Sequence, residues 1–302
     1  MKEPLVSVIV CTYNSSKTII ETLESIKSQT YQNIELVISD DDSKDDSVRI
    51  CESWAKDNKK RFKRIKIIKY SPNTGTSANM NRAYSETQGE WIKGIAADDK
   101  LLPNCISDYI AYLDDHPNAC IIFSIVVGFG NMEAANKWPF TNVKRFFDTF
   151  DTKQFRIILS TQNFLPAASV FLKKKVWEDL GGYDESIPLL EDWPFWVKAL
   201  KNGYCFDFFD KETVSYRFSE LSVSQGQVVL SGRYMESNRK ACINARRSLS
   251  QLGIMYFYLY QTMRIASRFR RKEMILKGLN IFNPAYYEYN YTIRKFENMI
   301  EK

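Results

Sequence analysis

The first 130 residues alternate between short apolar runs and amphipathic stretches, and this alternation constrains the fold more than any other feature. Continuous Val, Ile and Leu runs predict strands that are buried on both faces. Apolar residues at helical spacing separate them. The predicted strands are 5–11, 34–39, 65–70, 90–96 and 119–127. The predicted helices are 16–30 and 76–87, together with one opened by a capping box of Ser43 and Asp46 and one that starts at Pro103. Repeated βα units predict an α/β fold with a mostly parallel sheet and helices on both faces.

The pattern changes twice after this region. Beyond Gly130 the elements are less regular, with predicted strands at 166–172 and 214–218, a turn at Gly181-Gly182, and a helix at 191–201. From Gly232 onward the sequence is helical, basic and rich in aromatic residues. We therefore expect three segments: 1–130, 131–231, and a C-terminal helical extension, 232–302.

Positive charge is concentrated in that extension. Residues 239–302 contain 13 Lys/Arg and 4 Asp/Glu, whereas the whole chain has a net charge of +6. Such a segment favours an anionic partner, although a solvated helical face is an equally good interpretation. We expect contact with an anionic membrane rather than nucleic acid, through Arg268, Arg270, Arg271 and Lys272 after the aromatic run 256–260.

Two further features indicate the compartment and exclude some chemistry. No signal-peptide pattern and no C-x-x-C pair occur, so we expect a cytoplasmic protein, peripheral on the inner face of the membrane. The single histidine, His116, argues against a Ser/His/Asp triad and a His-rich zinc site. Neither a P-loop nor a Gly-x-Gly-x-x-Gly motif follows the first strand.

Polar residues follow the predicted strands, and ligands of parallel sheets bind at this edge. The groups are Thr12-Tyr13-Asn14, Asp40-Asp41-Asp42, Asn73-Thr74-Gly75 and Asp98-Asp99. The last pair suits Mg²⁺ or Mn²⁺, which bind through one or two carboxylates and substrate phosphates; a helix cap is the alternative. A carboxylate of the second group could accept a uracil N–H or a ribose hydroxyl, or could form a turn. The small residues of the third group open a helix that could receive an anion or a ribose.

Glu191 and Asp192 form a separate acidic pair beside Trp193. A carboxylate near apolar rings is suited to general-base work. Acidic residues are also favoured at helix N-termini for electrostatic reasons alone.

Taken in order, these motifs resemble the family-two inverting glycosyltransferases of the GT-A fold, of the type that builds bacterial polysaccharides, O-antigens and capsules. The resemblance covers about residues 5–224. The matching pieces are 6–14, 28–31, 35–43, 73–75, 97–99, 181–185, Glu191-Asp192, Tyr216-Arg217 and Ser222-Val223-Ser224.

The resemblance implies roles for these residues. Asp192 is implied as the catalytic base, with Glu191 as second candidate, and Asp98 and Asp99 share a metal and a ribose role. Arg217 approaches the diphosphate. The implied nucleotide-binding residues are Thr12, Tyr13, Asn14, Asp40, Asp41, Asn73, Gly75, Asp98 and Arg217. Three positions depart from the family pattern: Ala96 replaces the first acid of the D-x-D signature, Asp42 replaces a glycine, and Met80 stands where a basic residue is common.

The expected function is therefore Mn²⁺- or Mg²⁺-dependent transfer of a sugar from a nucleoside diphosphate to a hydroxyl of a glycan or lipid-linked glycan. UDP is favoured through the resemblance alone. A nucleotidyltransferase is one alternative, but it requires a glycine-rich basic loop after the first strand. A non-catalytic nucleotide-sugar-binding module is the other, and it has no need for Asp192 together with the metal pair.

Overall fold

The computed structural model describes residues 3–131, 143–218, 232–269 and 272–300. The described strands are β1 Val6–Thr12, β2 Ile34–Asp41, β3 Arg64–Tyr70, β4 Trp91–Ala96, β5 Lys100–Leu101, β6 Ile121–Gly130, β7 Phe171–Lys173 and β8 Asp207–Phe218. The described helices are α1 Ile19–Lys27, α2 Ser47–Asn58, α3 Thr76–Ser85, α4 Cys105–Asp115, α5 Val143–Thr149, α6 Thr152–Leu159, α7 Lys174–Leu180, α8 Asp192–Lys201, α9 Gly232–Ser248, α10 Ile254–Ala266, α11 Lys272–Leu279 and α12 Pro284–Ile300. The α/β class and the C-terminal helices predicted from the sequence are confirmed.

The strands form one mixed sheet in the order β3-β2-β1-β4-β7-β6-β8-β5. Strands β1 to β4 are mutually parallel, so their carboxyl ends meet at one edge. Strand β7 runs antiparallel to β4 and β6, which makes β6 and β8 parallel to the first four. The sheet is thus mostly parallel, as the repeated βα units predict.

Both faces of the sheet are covered, which explains the continuous apolar runs. In β1, Ile9 joins a core cluster on one face, whereas Val8 and Val10 join a cluster on the other. Helices α1, α2 and α4 cover the second face through residues such as Leu23. Helices α3, α6, α7 and α8 cover the first face through residues such as Trp196.

The C-terminal helices are part of this core. Ala241 and Ala245 of α9 and Phe296 of α12 are buried in the same cluster as Ile9. The three segments expected from the sequence therefore share one core, and their boundaries stay a prediction. Within the described residues, no helix is long and apolar enough to cross a membrane.

Some predicted element boundaries are wrong for local hydrogen-bonding reasons. The predicted capping box is absent: Ser43 bonds to Asp40, and helix α2 begins at Ser47 with Asp46 as an N-cap that makes no side-chain capping bond. Helix α4 begins at Cys105, since the Pro103 carbonyl accepts a hydrogen bond from Thr30 N and lies outside the helix. In the predicted strand 166–172, Ala167–Ser169 form a short 3₁₀ turn and only 171–172 belong to β7. The strand predicted at 214–218 begins earlier, at Asp207.

Candidate active site

The carboxyl ends of β1 and β2 bring the first two polar groups together. Thr12 lies opposite Asp40 in the parallel register. The Thr12 hydroxyl is buried and has no hydrogen-bond partner in the part of the chain that is described, which makes it an unsatisfied polar group at this edge. Tyr13 is about half exposed, so its ring can cover a bound group.

A hydrogen-bonded network joins the loops that follow these two strands. Ser43 N donates to Asp40 Oδ1 (2.9 Å) and Ser43 Oγ to Asp40 Oδ2 (2.5 Å). Asn14 N donates to Ser43 Oγ (2.8 Å), and Lys44 N donates to Asn14 Oδ1 (2.8 Å). Asn14 has a φ of 50°, a left-handed conformation that Asn tolerates better than most residues. Asp40 and Asn14 therefore fix the shape of this edge.

Asp41 organises the third polar group. Its carboxylate accepts from Thr74 N (3.0 Å), Gly75 N (2.8 Å), Thr74 Oγ1 (2.8 Å) and Arg82 Nη2 (2.5 Å). Asn73 Nδ2 donates to the Asp41 carbonyl (3.0 Å). These donors occupy the Asp41 carboxylate, so the structure places it as the support of the 73–75 loop.

Gly75 is required where this loop enters α3. Its φ is +98°, and a Cβ there would lie 2.6 Å from the Pro188 carbonyl oxygen. The same contact region contains two hydrogen bonds, from Ser77 Oγ to the Ile187 carbonyl (2.6 Å) and from Ser77 N to the Pro188 carbonyl (3.3 Å). These bonds hold the 73–75 loop and the start of α3 against the segment that leads to Glu191.

Asp98 and Asp99 follow β4 at the same edge. Asp98 is half-buried, whereas Asp99 is 1% exposed and accepts a hydrogen bond from Arg217 N (2.8 Å). Burial raises the pKa of both carboxyls, and the negative charge of Asp98 raises the pKa of Asp99 further. Arg217 donates from Nε to the Asp98 carbonyl (2.9 Å) and from Nη2 to Glu21 (2.9 Å). Two crowded carboxylates of this kind are the ligand type that Mg²⁺ and Mn²⁺ prefer.

The composition of this cluster fits a cation that is shared with a substrate. Within the described ranges, no group of three or more His, Cys, Asp or Glu side chains is placed to hold a metal ion. A divalent cation that takes one or two carboxylates and completes its shell with phosphate oxygens needs no such group. The half-buried Asp98 is the better placed of the pair to reach a ligand, because Asp99 is enclosed.

A buried lysine lies close to this pair, and the sequence pattern of β4 did not single it out. Lys93 is fully buried and donates from Nζ to the carbonyls of Gly94 (3.0 Å) and Ala168. Burial lowers the pKa of Lys93 to about 8, partly offset by the negative charge of Asp99. The signal that the sequence offered for Lys93 was a charged residue inside an otherwise apolar strand.

The second acidic pair begins α8. Glu191 is the N-cap and Asp192 the first helical residue, as predicted within one residue. Asn163 Nδ2 donates to Asp192 Oδ2 (2.6 Å), and the Trp193 indole N–H donates to the Leu159 carbonyl (2.8 Å), which fixes the helix start. Burial, together with the charge of Asp192, raises the pKa of Glu191 to about 8, and burial raises the pKa of Asp192.

The two halves meet at the end of β1. Leu190, which precedes Glu191, packs against the same core cluster as Cys11 and Ile9 of β1. Burial, followed by the charge of Glu191, raises the pKa of the Cys11 thiol. Cys11 Sγ donates to Met80 Sδ (3.0 Å), so an apolar side chain occupies the position where the family often has a basic residue.

The first turn of α9 adds residues that the sequence patterns missed. Arg233 donates from Nη1 to Asn73 Oδ1 (3.3 Å) and from Nη2 to the Thr74 carbonyl (3.1 Å). No ion pair within the described ranges involves Arg233. Burial and the charge of Asp192 raise the pKa of the neighbouring Tyr234. Helix α9 therefore borders both halves of the site, whereas Ser222-Val223-Ser224 lies outside the described residues.

Comparison with known proteins gives a consistent result. The family described as Glycosyl transferase family 2 matches residues 7–180. An uncharacterized glycosyltransferase of Methanocaldococcus jannaschii is 29% identical over 72% of each chain. The Escherichia coli UDP-Glc:alpha-D-GlcNAc-diphosphoundecaprenol beta-1,3-glucosyltransferase WfaP is 37% identical over 36% of this chain and 41% of its own.

Two solved structures share the fold. Residues 1–349 of S. aureus TarS, in complex with UDP-GlcNAc, superpose with a TM-score of 0.62 at 19% identity, over 91% of this chain and 79% of that one. The mannosyltransferase PcManGT of Pyrobaculum calidifontis, in complex with GDP-Man and Mn²⁺, gives a TM-score of 0.54 at 17% identity, over 93% and 87%.

Proposed function

This chain belongs to glycosyl transferase family 2, and we propose that it moves a sugar from a nucleoside diphosphate to an acceptor hydroxyl with inversion at the anomeric carbon. The observation that carries this proposal is the placement of two separate acidic pairs at one sheet edge. Asp98-Asp99 follows β4, and Glu191-Asp192 begins α8 shortly after Pro188, whose carbonyl accepts from Ser77 N at the start of α3, next to the Gly75–Asp41 bond at the end of β2. A displacement reaction needs one group to assist the departing diphosphate and another to take the acceptor proton, and the two pairs meet this need.

We propose that the nucleotide lies over the ends of β1 and β2. The unpaired hydroxyl of Thr12 and the exposed ring of Tyr13 support this placement. Asp40, Asn14 and Asp41 hold the surrounding loops through the hydrogen bonds described above. UDP is the proposed nucleotide, and the UDP-GlcNAc complex of TarS, which has the same fold, supports it.

Asp98 is the proposed metal ligand, and the buried Asp99 is proposed to hold the Asp98 backbone in position. Asp99 is held by Arg217 N, and the Arg217 side chain is anchored on the Asp98 carbonyl and Glu21, so the β4–β5 connection is tied to β8. A divalent cation bound there supplies charge neutralisation at the departing diphosphate. The Mn²⁺ complex of PcManGT, which shares the fold, supports this assignment.

Asp192 is the proposed catalytic base. Its Oδ2 accepts from Asn163, which orients the carboxylate. The acceptor O–H gives its proton to Asp192, the acceptor oxygen bonds to the anomeric carbon, and the bond from that carbon to the diphosphate oxygen breaks. The electron pair of that bond leaves with the nucleoside diphosphate, and attack from the opposite face inverts the anomeric centre.

Arg233 is proposed to meet the donor diphosphate. The family's common basic position is Met80, which packs on Cys11. Arg82 is paired with Asp41 and Arg217 with Glu21, whereas the hydrogen-bond acceptors of Arg233 among the residues that the structure describes are uncharged. A guanidinium with only neutral partners is free to exchange them for phosphate oxygens.

A lipid-linked glycan at the cytoplasmic face of the membrane is the proposed acceptor. The support is the likeness to WfaP, whose name includes a diphosphoundecaprenol acceptor. The donor sugar and the linkage are left to experiment.

The test is release of nucleoside diphosphate by the full chain from a panel of UDP- and GDP-sugars, with Mn²⁺ and a mixed pool of lipid-linked and free glycans. We expect release with one donor class, and a decrease of about 10²- to 10³-fold with excess EDTA or in Asp98→Asn. Full activity in EDTA contradicts the metal role. Release of pyrophosphate indicates a nucleotidyltransferase, and binding without turnover indicates a non-catalytic module.

A further inference from the structure

Exposed apolar side chains are concentrated in the C-terminal helices. In the described residues before Gly232, the large hydrophobic side chains that are exposed are Tyr13, Ile20 and Tyr70. The larger group lies between residues 235 and 291, and its two most exposed members are Ile254 (83%) and Phe282 (91%). Isolated exposed apolar residues are normal on proteins, but a contiguous group indicates an interaction surface.

Six of these exposed residues lie at the start of α10 and in the α11–α12 connection, and are here termed the apolar tip: Ile254, Met255, Tyr258, Leu279, Ile281 and Phe282. Two hydrogen bonds hold its parts together. Tyr258 OH donates to the Leu279 carbonyl (3.0 Å), and Asn283 Nδ2 donates to the Met255 carbonyl (3.2 Å). The start of α10 and the α11–α12 connection are therefore one surface.

A basic groove adjoins the apolar tip. This cavity has a volume of about 560 Å³. Among the described residues its lining has no Asp or Glu, and its three cationic and three tyrosine side chains define the basic groove: Lys277, Arg294, Lys295, Tyr286, Tyr287 and Tyr291. Tyr287 OH donates to the Ile281 carbonyl (2.8 Å), which connects the groove to the tip. Lys277 is two residues from Leu279 on the same helix.

We propose that the apolar tip and the basic groove together dock on an anionic phospholipid bilayer, with the tip among the acyl chains and the groove around lipid phosphates. This deepens the proposed function, because it gives the chain its place beside a lipid-linked acceptor. Aromatic and aliphatic side chains next to cations suit the boundary between headgroups and acyl chains.

The charge of the groove disfavours one other occupant, and the apolar tip disfavours another. A symmetric dimer through this surface would bring two sets of cations together, which disfavours a second copy of the chain. Nucleic acid would match the cations but would leave the apolar tip in water. The apolar tip includes Tyr258 of the run 256–260, whereas Tyr256 of that run is buried, and Arg270 and Arg271 lie outside the described residues.

The test is sedimentation of the full chain with phosphatidylcholine vesicles that contain no or 30% phosphatidylglycerol, at low salt. We expect binding to the anionic vesicles and at least a tenfold loss in Ile254→Ser/Phe282→Ser and in Lys277→Gln/Arg294→Gln. Ile20→Ala, an exposed apolar residue of the body, serves as the matched control and should bind like the wild type.

Three outcomes overturn the docking proposal: no binding of the wild type to anionic vesicles, equal binding of all variants, or a dimer of the wild type that the tip variants abolish. Release of nucleoside diphosphate with a soluble acceptor is measured on the same samples. Normal turnover without vesicle binding overturns the docking surface alone, and absence of turnover with any donor overturns the proposed function independently.

Discussion

The Glu191 carboxyl couples the stability of the fold to pH. Its pKa rises from 4.5 to about 8 in the folded chain through burial and the charge of Asp192. The folded state therefore holds a proton that the unfolded state releases between these pH values, and the unfolding free energy falls as pH rises through that window. We predict that Glu191→Gln flattens this slope, measured by urea unfolding from pH 4 to 9. An unchanged slope contradicts the assignment.

The role of Arg233 can be separated from general effects on the nucleotide site. Charge-assisted hydrogen bonds to phosphate are worth about 1.5–3 kcal/mol, so Arg233→Gln should weaken UDP binding by about 10- to 100-fold. Uridine lacks the diphosphate and should bind both proteins equally in calorimetry. Lys240→Gln is the matched control, because Lys240 lies on the same helix and bonds to the Ser186 carbonyl (3.0 Å). Equal losses for UDP and uridine would place Arg233 in loop support only.

Sequence reasoning found the acidic residues of the site more easily than their partners. Asp98 and Asp192 stand at a strand end and a helix start, positions that local patterns reveal. Asn163 and Arg233 reach the site from distant elements, and no local pattern marks them. The enclosure of Asp41 by donors is likewise a property of the folded loop, so its predicted direct contact with nucleotide stays a prediction.

At the scale of elements, the loop between β3 and α3 depends on one glycine. Gly75→Ala would force a left-handed φ and a 2.6 Å contact with the Pro188 carbonyl. We predict a loss of about 1–3 kcal/mol in unfolding free energy, measured by urea denaturation. Gly278→Ala is the control, since α11 has open space there and alanine is the better helix former by about 1 kcal/mol. Equal effects of the two changes would contradict the packing described.

Strands and helices were predicted well where the spacing of apolar residues specifies them, whereas the residues at which they begin and end were predicted poorly. Strands β1 to β4 lie within two residues of their expected bounds, because continuous apolar runs reflect burial on both faces. The helix starts predicted at Ser43 and Pro103 were wrong. Ser43 bonds to Asp40 in the preceding turn, and the Pro103 carbonyl accepts from Thr30, which is remote in sequence and outside the reach of a local rule. The short β7 depends on pairing with β4 and β6, and its own sequence is too brief to specify it.

At the scale of the whole molecule, the C-terminal extension has one set of side chains buried in the core and another set exposed on the surface. Phe296 is fully buried beside Phe146 and Phe164, whereas Phe282 is almost fully exposed. We predict that Phe296→Ala costs about 3–5 kcal/mol of stability, and that Phe282→Ala changes it by less than about 0.5 kcal/mol, both measured by urea unfolding. Similar costs would contradict the packing of α12 on the body.

Composition alone could not separate these two phenylalanines. The sequence gives one basic, aromatic segment and leaves membrane contact and packing on the body equally open. The structure shows packing through α9 and α12 and an exposed tip on the α10 start and the α11–α12 connection. Removing the whole extension would therefore remove part of the core, so single side-chain changes are the cleaner tests.

The most direct test of the central claim is Asp192→Asn, with melting temperature, UDP affinity in Mn²⁺ and turnover measured on one preparation. Asparagine can still accept the hydrogen bond from Asn163 but cannot take a proton, so we expect near wild-type folding and UDP affinity. Turnover should fall by about 10²- to 10⁴-fold, the usual loss for a general base, while Glu191→Gln keeps most of it. Near wild-type turnover in Asp192→Asn contradicts the account, and a collapse in Glu191→Gln alone would assign the base to Glu191.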